Sequence, residues 1–371
     1  MSNPVKVLQI FGSLNVGGAE TRMMDIYRNI DRTKVQFEFL SLDTSDEQYY
    51  ERDIEDLGGR IYKVDNPRKS GIFKHYKTIF KIMSKENYVA VHAHTSYHMG
   101  IVMMAAFQSK INIRISHART SGVQKATLST KVFHLVGKAF INIFATHLLS
   151  VSREASKYLF GKNPLKEVHV LPNSINHSLF KTNFDDNNLG DKIGVDRRKI
   201  NIIQIGRFEK VKNHKFTIKI IDDLTKKNVN IHLYLVGGGL LEKEIVDEIE
   251  ARDLSDHVTF LGIRKDVNKI LKYMDYLVLP SLFEGLPGVI LEAQASGIKS
   301  LVSDRVTQDC DLGLGIVNFI SLHDEKSWIR ELERKSEIQV SNKRIDEIFL
   351  KSGFNISHAT NYLTKIYCSN E

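Results

Sequence analysis

Residues 200–212 read INIIQIGRFEKVK. The stretch begins with a mostly apolar run that ends at Gly206, and charged residues follow. The run predicts a buried strand over residues 200–205, and Lys212 is predicted to open the helix that follows. The same order recurs along the chain, beginning with a strand predicted over residues 5–11 and a helix over residues 19–30. Strands that alternate with helices form parallel sheets covered on both faces, so we predict an α/β fold.

The alternation is interrupted once. Residues 181–198 are polar and show little apolar periodicity, which predicts a linker. The chain has 371 residues, enough for two domains of about 150–200 residues each. Two such domains in series predict a cleft between them, with ligands at the carboxyl ends of the strands.

Charge is distributed unevenly along the chain. Residues 1–175 contain 24 Lys and Arg against 15 Asp and Glu, and residues 87–153 contain seven basic residues and no acidic one. A basic face of this kind can meet nucleic acid, an anionic membrane surface or phosphorylated lipid. The basic residues are not interleaved with a stacking aromatic platform, and residues 176–371 are not basic, so no nucleic-acid partner is expected.

The segment 72–85 carries a second indication of a surface role. Its apolar residues recur at helical spacing, and Lys74, Lys77, Lys81 and Lys85 line another side. One interpretation is a surface helix that packs its apolar stripe on the sheet, with the lysines in water. The other places the lysines against anionic lipid headgroups. Both can hold, and we expect a membrane-facing first domain.

The N-terminus lacks the basic and apolar pattern of a signal peptide, and no uncharged apolar run approaches the roughly 20 residues of a membrane-spanning helix. Cys310 and Cys368 form neither a disulfide framework nor a metal-ligand spacing. The expected location is therefore the cytoplasm, peripheral on the inner face of the cell membrane.

Two cations flank the end of the strand predicted over residues 200–205. Arg207 follows the strand and Gly206, and Lys212 lies at the next helix start, so both can point into one site. Fixed cations stabilise the negative charge that develops when a diphosphate departs. The alternative is a solvated turn with two exposed basic side chains.

A glutamate-rich segment, EGLPGVILE at residues 284–292, is the stronger signal. Glu284 lies in a predicted loop, and Gly285, Leu286, Pro287 and Gly288 lead into a helix whose free N–H groups can receive phosphate. Glu292 lies just over one turn further along, where a carboxylate can hold a ribose diol. The alternative is a loop carboxylate and a carboxylate in a first helical turn, where the helix dipole favours it.

Weaker candidates follow other predicted strands. Gly237 and Gly238 permit close backbone approach after the strand over residues 231–236, and the backbone at Arg264 can meet a nucleobase edge. Gly17 and Gly18 open the first helix, although they do not form a dinucleotide-binding fingerprint. His117 is predicted to follow a strand over residues 111–116 and to face the cleft. His92 and His94 have metal-like spacing, but no third ligand is evident, so no metal site is expected.

These residues resemble glycosyltransferase family four, of the GT-B architecture, over nearly the whole chain. Segments 27–32 and 57–61 are more narrowly similar to bacterial capsular and exopolysaccharide transferases of the EpsF type. The resemblance implies two Rossmann-like domains, over 1–178 and 179–345, and a helical segment, 346–371, that crosses back to the first domain. It also implies retention of anomeric configuration and independence from metal. No cofactor is expected.

Residue roles follow from the same resemblance. Arg207 and Lys212 would bind the diphosphate, Glu284 the donor sugar and Glu292 the ribose, with His117 beside the reacting sugar. One departure is Pro172-Asn173-Ser174, where the family usually has glycine in the third position.

The expected reaction is transfer of a hexosyl unit from a nucleotide sugar, with a UDP-sugar favoured, to a lipid-linked saccharide. The alternatives are a soluble transferase with a small-molecule acceptor and a pseudoenzyme that binds the sugar nucleotide without turnover.

Overall fold

The structure, a computed structural model, describes residues 3–120, 128–181 and 189–369. Two compact units emerge, one formed by Met1–Ser174 with Gly353–Glu371 and the other by Ile175–Ser352. The boundaries expected from the sequence, after residues 178 and 345, lie four and seven residues from these divisions. Part of the predicted linker, residues 182–188, lies outside the described residues.

Each unit contains one parallel sheet. In the described residues of the first unit the strand order is β3-β2-β1-β4-β5-β6-β7, and in those of the second it is β10-β9-β8-β11-β12-β13. The strands are β1 (Val5–Phe11), β2 (Val35–Ser41), β3 (Ile61–Lys63), β4 (Tyr88–Ala93), β5 (Ile113–Ala118), β6 (His147–Ser150), β7 (Val168–Val170), β8 (Ile200–Ile205), β9 (Ile231–Val236), β10 (Val258–Gly262), β11 (Tyr276–Leu279), β12 (Lys299–Ser303) and β13 (Val317–Ile320).

Helices connect the strands as parallel pairing requires, because the chain must cross over the sheet between one strand and the next. They are α1 (Gly18–Asn29), α2 (Glu51–Asp56), α3 (Pro67–Ser70), α4 (Ile72–Lys85), α5 (Met99–Gln108), α6 (Leu128–Phe144), α7 (Arg153–Phe160), α8 (Leu189–Lys192), α9 (His214–Lys226), α10 (Glu242–Glu250), α11 (Val267–Ile270), α12 (Gly288–Ala295), α13 (Glu325–Leu332), α14 (Asn342–Lys351) and α15 (Ile356–Tyr367). Across the described ranges, no helix combines the length and the apolar character needed to cross a membrane.

The sheet of the first unit is covered on both faces. On one face Leu8 and Ile10 of β1 pack in a cluster with residues of α4 to α7. On the other face Val7 and Phe11 pack in a cluster with residues of α1 and α15. The last helix of the chain therefore packs in the first unit.

The core of the second unit is built from its central strands. Ile202 of β8, Leu233 of β9 and Leu301 of β12 are fully buried and cluster with residues of α9 and α13. Trp328 of α13 is the largest fully buried side chain in this cluster. The packing leaves the loops at the carboxyl ends of β8, β9 and β11 to form the candidate site.

Most predicted strands are confirmed, and β8, β9 and β11 have the predicted bounds. Two predictions about site residues are wrong. His117 lies inside β5, which runs two residues later than predicted, and it is buried. Lys212 does not open the following helix: it ends a short 3-10 turn over Lys210–Lys212, and α9 begins at His214 after the left-handed residue Asn213.

Candidate functional site

The loop after β8 depends on two glycines that no other residue replaces easily. Gly206 has a φ of +155° and Gly237 a φ of +145°, in a region that side chains rarely adopt. A Cβ atom on Gly237 would lie 2.0 Å from the carbonyl oxygen of Gly206. The ends of β8 and β9 therefore meet backbone to backbone, and the space beside Gly206 is occupied by the aliphatic part of Lys212, whose Cε would lie 3.0 Å from an added Cβ.

Lys212 and Glu284 form the centre of the site in the second unit. The lysine Nζ donates to Glu284 Oε1 at 2.6 Å, and the Ser281 hydroxyl donates to the same oxygen at 2.9 Å. Both charged side chains are mostly buried, with 17% and 16% exposed. A partly buried pair is screened less by salt than a surface pair, so the two charges hold each other in a fixed position.

Further hydrogen bonds join the loop after β8 to the loop after β11. The side-chain amide of Asn213 donates to the Pro280 carbonyl at 3.1 Å, and the Leu282 amide donates to the Val211 carbonyl at 2.8 Å. The side-chain amide of Gln204, in β8, donates to the Lys212 carbonyl at 2.8 Å. The position of Lys212 is thus set by backbone contacts as well as by its charge.

Arg207 and Arg264, the two arginines predicted to bind the nucleotide, form ion pairs with neighbouring carboxylates. Arg207 is 65% exposed on its side chain, and its Nη1 lies 2.9 Å from Glu209 Oε1. Arg264 donates from Nε and Nη2 to both oxygens of Asp266, at 2.8 and 2.6 Å. Arg207 is the more accessible cation and can reorient toward an anion at low energetic cost, because an exposed ion pair contributes little.

The glycine-rich segment leads into α12 as predicted, with one difference. Pro287 is the N-cap residue and the helix begins at Gly288, without a side-chain hydrogen bond to the cap. The first N–H groups of α12 are therefore not capped by the Pro287 side chain. Glu292 lies on α12 and is 9% exposed, and Gly285 and Leu286 connect it to the loop that holds Glu284.

His214 is a neighbour of Lys212 that was not predicted. It is buried against Phe208, with ring centroids 4.9 Å apart. Burial, and to a smaller extent the charge of Lys212, lowers the pKa of His214 to about 4, so the imidazole is neutral at pH 7. A neutral ring adds no positive charge next to Lys212.

In the first unit the structure places His117 in a buried histidine cluster. Ligand atoms of His92, His94 and His117 lie within 4.8 Å of one another, in the only such group of possible metal ligands in the described part of the chain. His117 is the third ligand that sequence spacing could not identify. Burial, with a smaller contribution from the Arg119 charge to each, lowers the pKa of all three well below its ordinary value.

Three neutral imidazoles are a familiar donor set for a divalent cation. Here, however, hydrogen bonds already occupy ring nitrogens of all three, and the guanidinium Nε of Arg119 lies 3.2 Å from Nδ1 of His94. A fixed cation beside a ligand nitrogen disfavours a second positive charge there. The absence of a metal remains a prediction.

The two glycines at the start of α1, Gly17 and Gly18, have different surroundings. Gly17 is the N-cap residue, and the Glu20 carboxylate folds back so closely that a Cβ on Gly17 would lie 2.2 Å from Oε2. Gly18 has open space around the position of a Cβ. The start of α1 therefore already has a carboxylate at one of its two predicted phosphate-binding glycines.

Gln9, Arg119 and Tyr367 were missed by the sequence reasoning, although all contact the histidine cluster. Gln9 is a polar residue between apolar neighbours in the buried part of β1, which was a detectable signal. Tyr367 lies in the last helix, so its partner could not be identified without the tertiary structure.

Comparison with known proteins places the chain in a family. Residues 16–179 match Glycosyltransferase Family 4, and residues 185–310 match the group 1 glycosyl transferases. The chain is 33% identical to the putative glycosyltransferase EpsF of Bacillus subtilis, over 99% of this chain and 97% of that one. The chain belongs to this glycosyltransferase family, and it is a glycosyltransferase with the GT-B fold.

The names of two further relatives state their functions. The capsular polysaccharide biosynthesis glycosyltransferase CapH of Staphylococcus aureus is 28% identical, over 98% of this chain and 99% of its own. An Escherichia coli protein is 28% identical over 78% of each chain; it is the UDP-Gal:alpha-D-GlcNAc-diphosphoundecaprenol alpha-1,3-galactosyltransferase. These relatives act in capsular polysaccharide and lipid-linked saccharide pathways.

A solved structure supports the fold. HepE of Anabaena, in complex with UDP and glucose, superposes with a TM-score of 0.75 at 16% identity, covering 97% of this chain and 98% of that one. At this identity the likeness concerns the fold alone.

Proposed function

We propose that this chain transfers a hexosyl unit, with retention of anomeric configuration, from a nucleotide sugar to a lipid-linked saccharide in capsular or exopolysaccharide biosynthesis. A UDP-sugar is the favoured donor, because the E. coli relative is named for UDP-Gal and HepE was crystallised with UDP. The observation that carries the proposal is the Lys212–Glu284 pair, 2.6 Å apart beside the backbone contact of Gly206 and Gly237.

In this proposal the diphosphate of the donor is bound by Lys212 and Arg207. An ammonium group has three donors, so Lys212 can keep its bond to Glu284 and still meet a phosphate oxygen. Arg207 is exposed enough to leave Glu209 and to present its planar donors to the same diphosphate. At Gly238 no atom lies within 3.6 Å of the position of a Cβ, so a phosphate can approach the backbone closely there.

The carboxylates hold hydroxyl groups. Glu284 has its orientation fixed by Lys212 and Ser281, which leaves its second oxygen available for donor-sugar hydroxyls. Glu292 is the ribose ligand, and the backbone at the start of α12, with Gly288, completes the nucleotide site. The backbone near Arg264 meets the base.

The proposed chemistry is front-side attack that needs no metal and no separate general base. The acceptor hydroxyl oxygen forms a bond to the anomeric carbon while the bond from that carbon to the β-phosphate oxygen breaks. The acceptor proton passes to an oxygen of the departing diphosphate. Lys212 and Arg207 stabilise the charge that develops on the diphosphate.

A membrane surface is the proposed location of the acceptor. Phe73 of α4 is 82% exposed and Leu135 of α6 is 71% exposed, and both helices pack beside α5 on one face of the first unit. Exposed apolar side chains next to exposed lysines suit an interface with anionic lipid, since the rings enter the headgroup layer and the lysines meet phosphates. The exposed lysines of α4 are Lys74, Lys77, Lys81 and Lys85.

The test is a transfer reaction with the purified full chain, a panel of UDP-sugars and lipid-linked saccharides of one to three sugars. We expect release of UDP that depends on one donor and one acceptor, and a product whose new linkage has the anomeric configuration of the donor by NMR. A product of inverted configuration would disprove the mechanism, and absence of transfer with every donor would disprove the function.

A further inference from the structure

The main chain of Glu284 is held by a third loop of the second unit. Glu284 pairs with Val306 in an isolated parallel bridge. Val306 is buried, and its amide donates to the carbonyl of Ser303, the last residue of β12, at 3.0 Å. Residues 304–312, the β12 loop, therefore fix the main chain of Glu284, whereas Lys212 fixes its carboxylate.

The β12 loop contacts Gln294 of α12, whose side chain is fully buried. The amide nitrogen of Gln294 donates to the Cys310 carbonyl at 2.7 Å, and its Oε1 accepts from the Leu312 amide at 2.8 Å. The same nitrogen also donates to the Ile290 carbonyl at 3.1 Å. A glutamine amide has two N–H donors and one carbonyl oxygen, so each of these groups has a partner and the orientation of the amide is determined.

Hydrogen bonds inside the β12 loop connect its two ends. The Cys310 thiol donates to the Thr307 carbonyl at 3.1 Å, and the Thr307 hydroxyl accepts from the Asp309 amide at 3.3 Å. Cys310 is fully buried, and burial, with smaller contributions that include the charge of Glu284, raises its pKa to about 12. The Cys310 end of the loop is therefore linked by a short bonded turn to Val306, which pairs with Glu284.

We propose that Gln294 is a positioning residue: through the β12 loop it fixes where Glu284 presents its second carboxylate oxygen to the donor sugar. The inference rests on the proposed function for the identity of that ligand. Groups that bind a reacting substrate must be held within about 0.5 Å of their productive position by contacts behind them. Glu284 lies between the end of β11 and the start of α12, so the bridge to Val306 ties its main chain to the edge of the sheet.

Gln294→Met is the discriminating variant, because methionine has nearly the same length and shape but no N–H or C=O group. It keeps the packing of α12 and removes the hydrogen bonds to the Cys310 carbonyl and the Leu312 amide. Gln294→Leu loses the same bonds with a branched side chain. An effect that both variants share therefore belongs to the hydrogen bonds and not to the shape of the replacement.

Ile249→Ala is the matched control for loss of stability. Ile249 lies on α10 and is buried in the core cluster with residues of β9 and α9, so its truncation leaves a cavity in the second unit. The substitution lowers the stability of the unit but leaves Gln294 and its hydrogen bonds in place. All variants are compared at a temperature at which each of them is folded.

The first measurement is hydrogen–deuterium exchange of the full chain, read by mass spectrometry on peptides that cover residues 281–287 and 304–312. We expect exchange to be at least about threefold faster in both segments for Gln294→Met and Gln294→Leu, because the loop opens more often and releases the main chain of Glu284 with it. For Ile249→Ala we expect rates within about twofold of wild type in both segments.

The second measurement compares UDP with the UDP-sugar that the wild type transfers. Lys212 is held by Gln204 and by backbone contacts as well as by Glu284, so the Kd for UDP, measured by calorimetry, should stay within about twofold of wild type. The kcat/KM for the UDP-sugar should fall about tenfold in both Gln294 variants, as for the displacement of one oriented hydrogen bond. Both quantities should be within about twofold of wild type in Ile249→Ala.

The inference is overturned if exchange is faster in 304–312 but unchanged in 281–287, or if it is unchanged in both. It is also overturned if UDP binding weakens as much as kcat/KM falls, if kcat/KM is unchanged, or if Ile249→Ala behaves like the Gln294 variants. A wild type that transfers no sugar would disprove the proposed function instead, and the exchange rates would still show whether Gln294 holds Glu284.

Discussion

Lys212 and Glu284 are separated by 72 residues, yet the lysine ammonium lies 2.6 Å from a carboxylate oxygen of the glutamate. The pair joins the loop after β8 to the loop after β11, and both partners are mostly buried. Two loops that were identified separately in the sequence thus form one charged site. Lys212 uses one of its three N–H donors on Glu284, so the ammonium group can still bind an anion.

Replacing Lys212 with alanine should lower turnover by more than tenfold, about 1.4 kcal/mol of transition-state stabilisation. The reason is loss of a cation that meets the departing diphosphate. Lys210→Ala is the matched control, since Lys210 lies in the same short turn but is exposed. Steady-state transfer rates at saturating donor and acceptor provide the measurement. A loss below tenfold, or an equal loss in both variants, would count against the role of Lys212.

Gly237→Ala should destabilise the second unit, whereas Gly238→Ala should be tolerated. The added methyl group at position 237 would meet the Gly206 carbonyl at 2.0 Å with φ at +145°, while at 238 the nearest atom is 3.6 Å away. We expect a cost of about 2 kcal/mol or more, a drop of roughly 4–8 °C in the melting temperature for a unit of this size. Equal melting temperatures for the two variants would show that the backbone contact is not required.

Acidification should destabilise the fold before the carboxylates titrate. Burial lowers the pKa of His98 to about 3 and of His214 to about 4, whereas an unfolded histidine titrates near 6.5. Above pH 6.5 the histidines are neutral in both states, and below it only the unfolded chain gains the protons. Each such histidine therefore costs up to about 1.4 kcal/mol per pH unit as the pH falls from 6.5 toward its folded pKa.

The check is the guanidinium unfolding midpoint at pH 7.5, 6.5 and 5.5 and constant ionic strength. We expect little change over the first step and a clear decrease over the second. A midpoint that is the same at pH 5.5 as at pH 7.5 would show that these histidines titrate normally.

The membrane proposal predicts that Phe73→Ser combined with Leu135→Ser weakens binding to anionic vesicles at low salt. Both residues lose apolar surface that would enter the headgroup layer. Leu240→Ser is the control, because Leu240 is 98% exposed but belongs to the second unit. Co-sedimentation with vesicles that contain phosphatidylglycerol measures the effect. If the wild type does not bind the vesicles, an acceptor in solution is favoured. If Leu240→Ser weakens vesicle binding as much as the double variant does, α4 and α6 have no specific role in binding.

Much of the fold could be predicted because the strands that matter are buried on both faces and form continuous apolar runs. β8, β9 and β11 have the predicted bounds for this reason. The short edge strands β3 and β13 were not predicted, since most of their residues are half-buried and neither strand has a continuous apolar run.

Site geometry was less predictable. The boundaries around His117 and Lys212 were wrong because single residues with left-handed backbone, Lys110 and Asn213, set where β5 and α9 can begin. A lysine gives no local signal of that conformation, and an asparagine only favours it. The histidine cluster depends on strands distant in the chain and on Tyr367, so spacing along one strand identified only His92 and His94.

The central claim, that the second unit binds a nucleotide diphosphate through Lys212, is tested most directly by thermal shift with UDP, GDP, ADP and CMP. A ligand that binds only the folded form raises the apparent stability, by about 2.7 kcal/mol at 100 times its Kd. The account predicts a rise in melting temperature with UDP for the wild type and for Lys210→Ala, and none for Lys212→Ala. An unchanged UDP shift in Lys212→Ala, or no shift of the wild type with any of the four nucleotides, would contradict it.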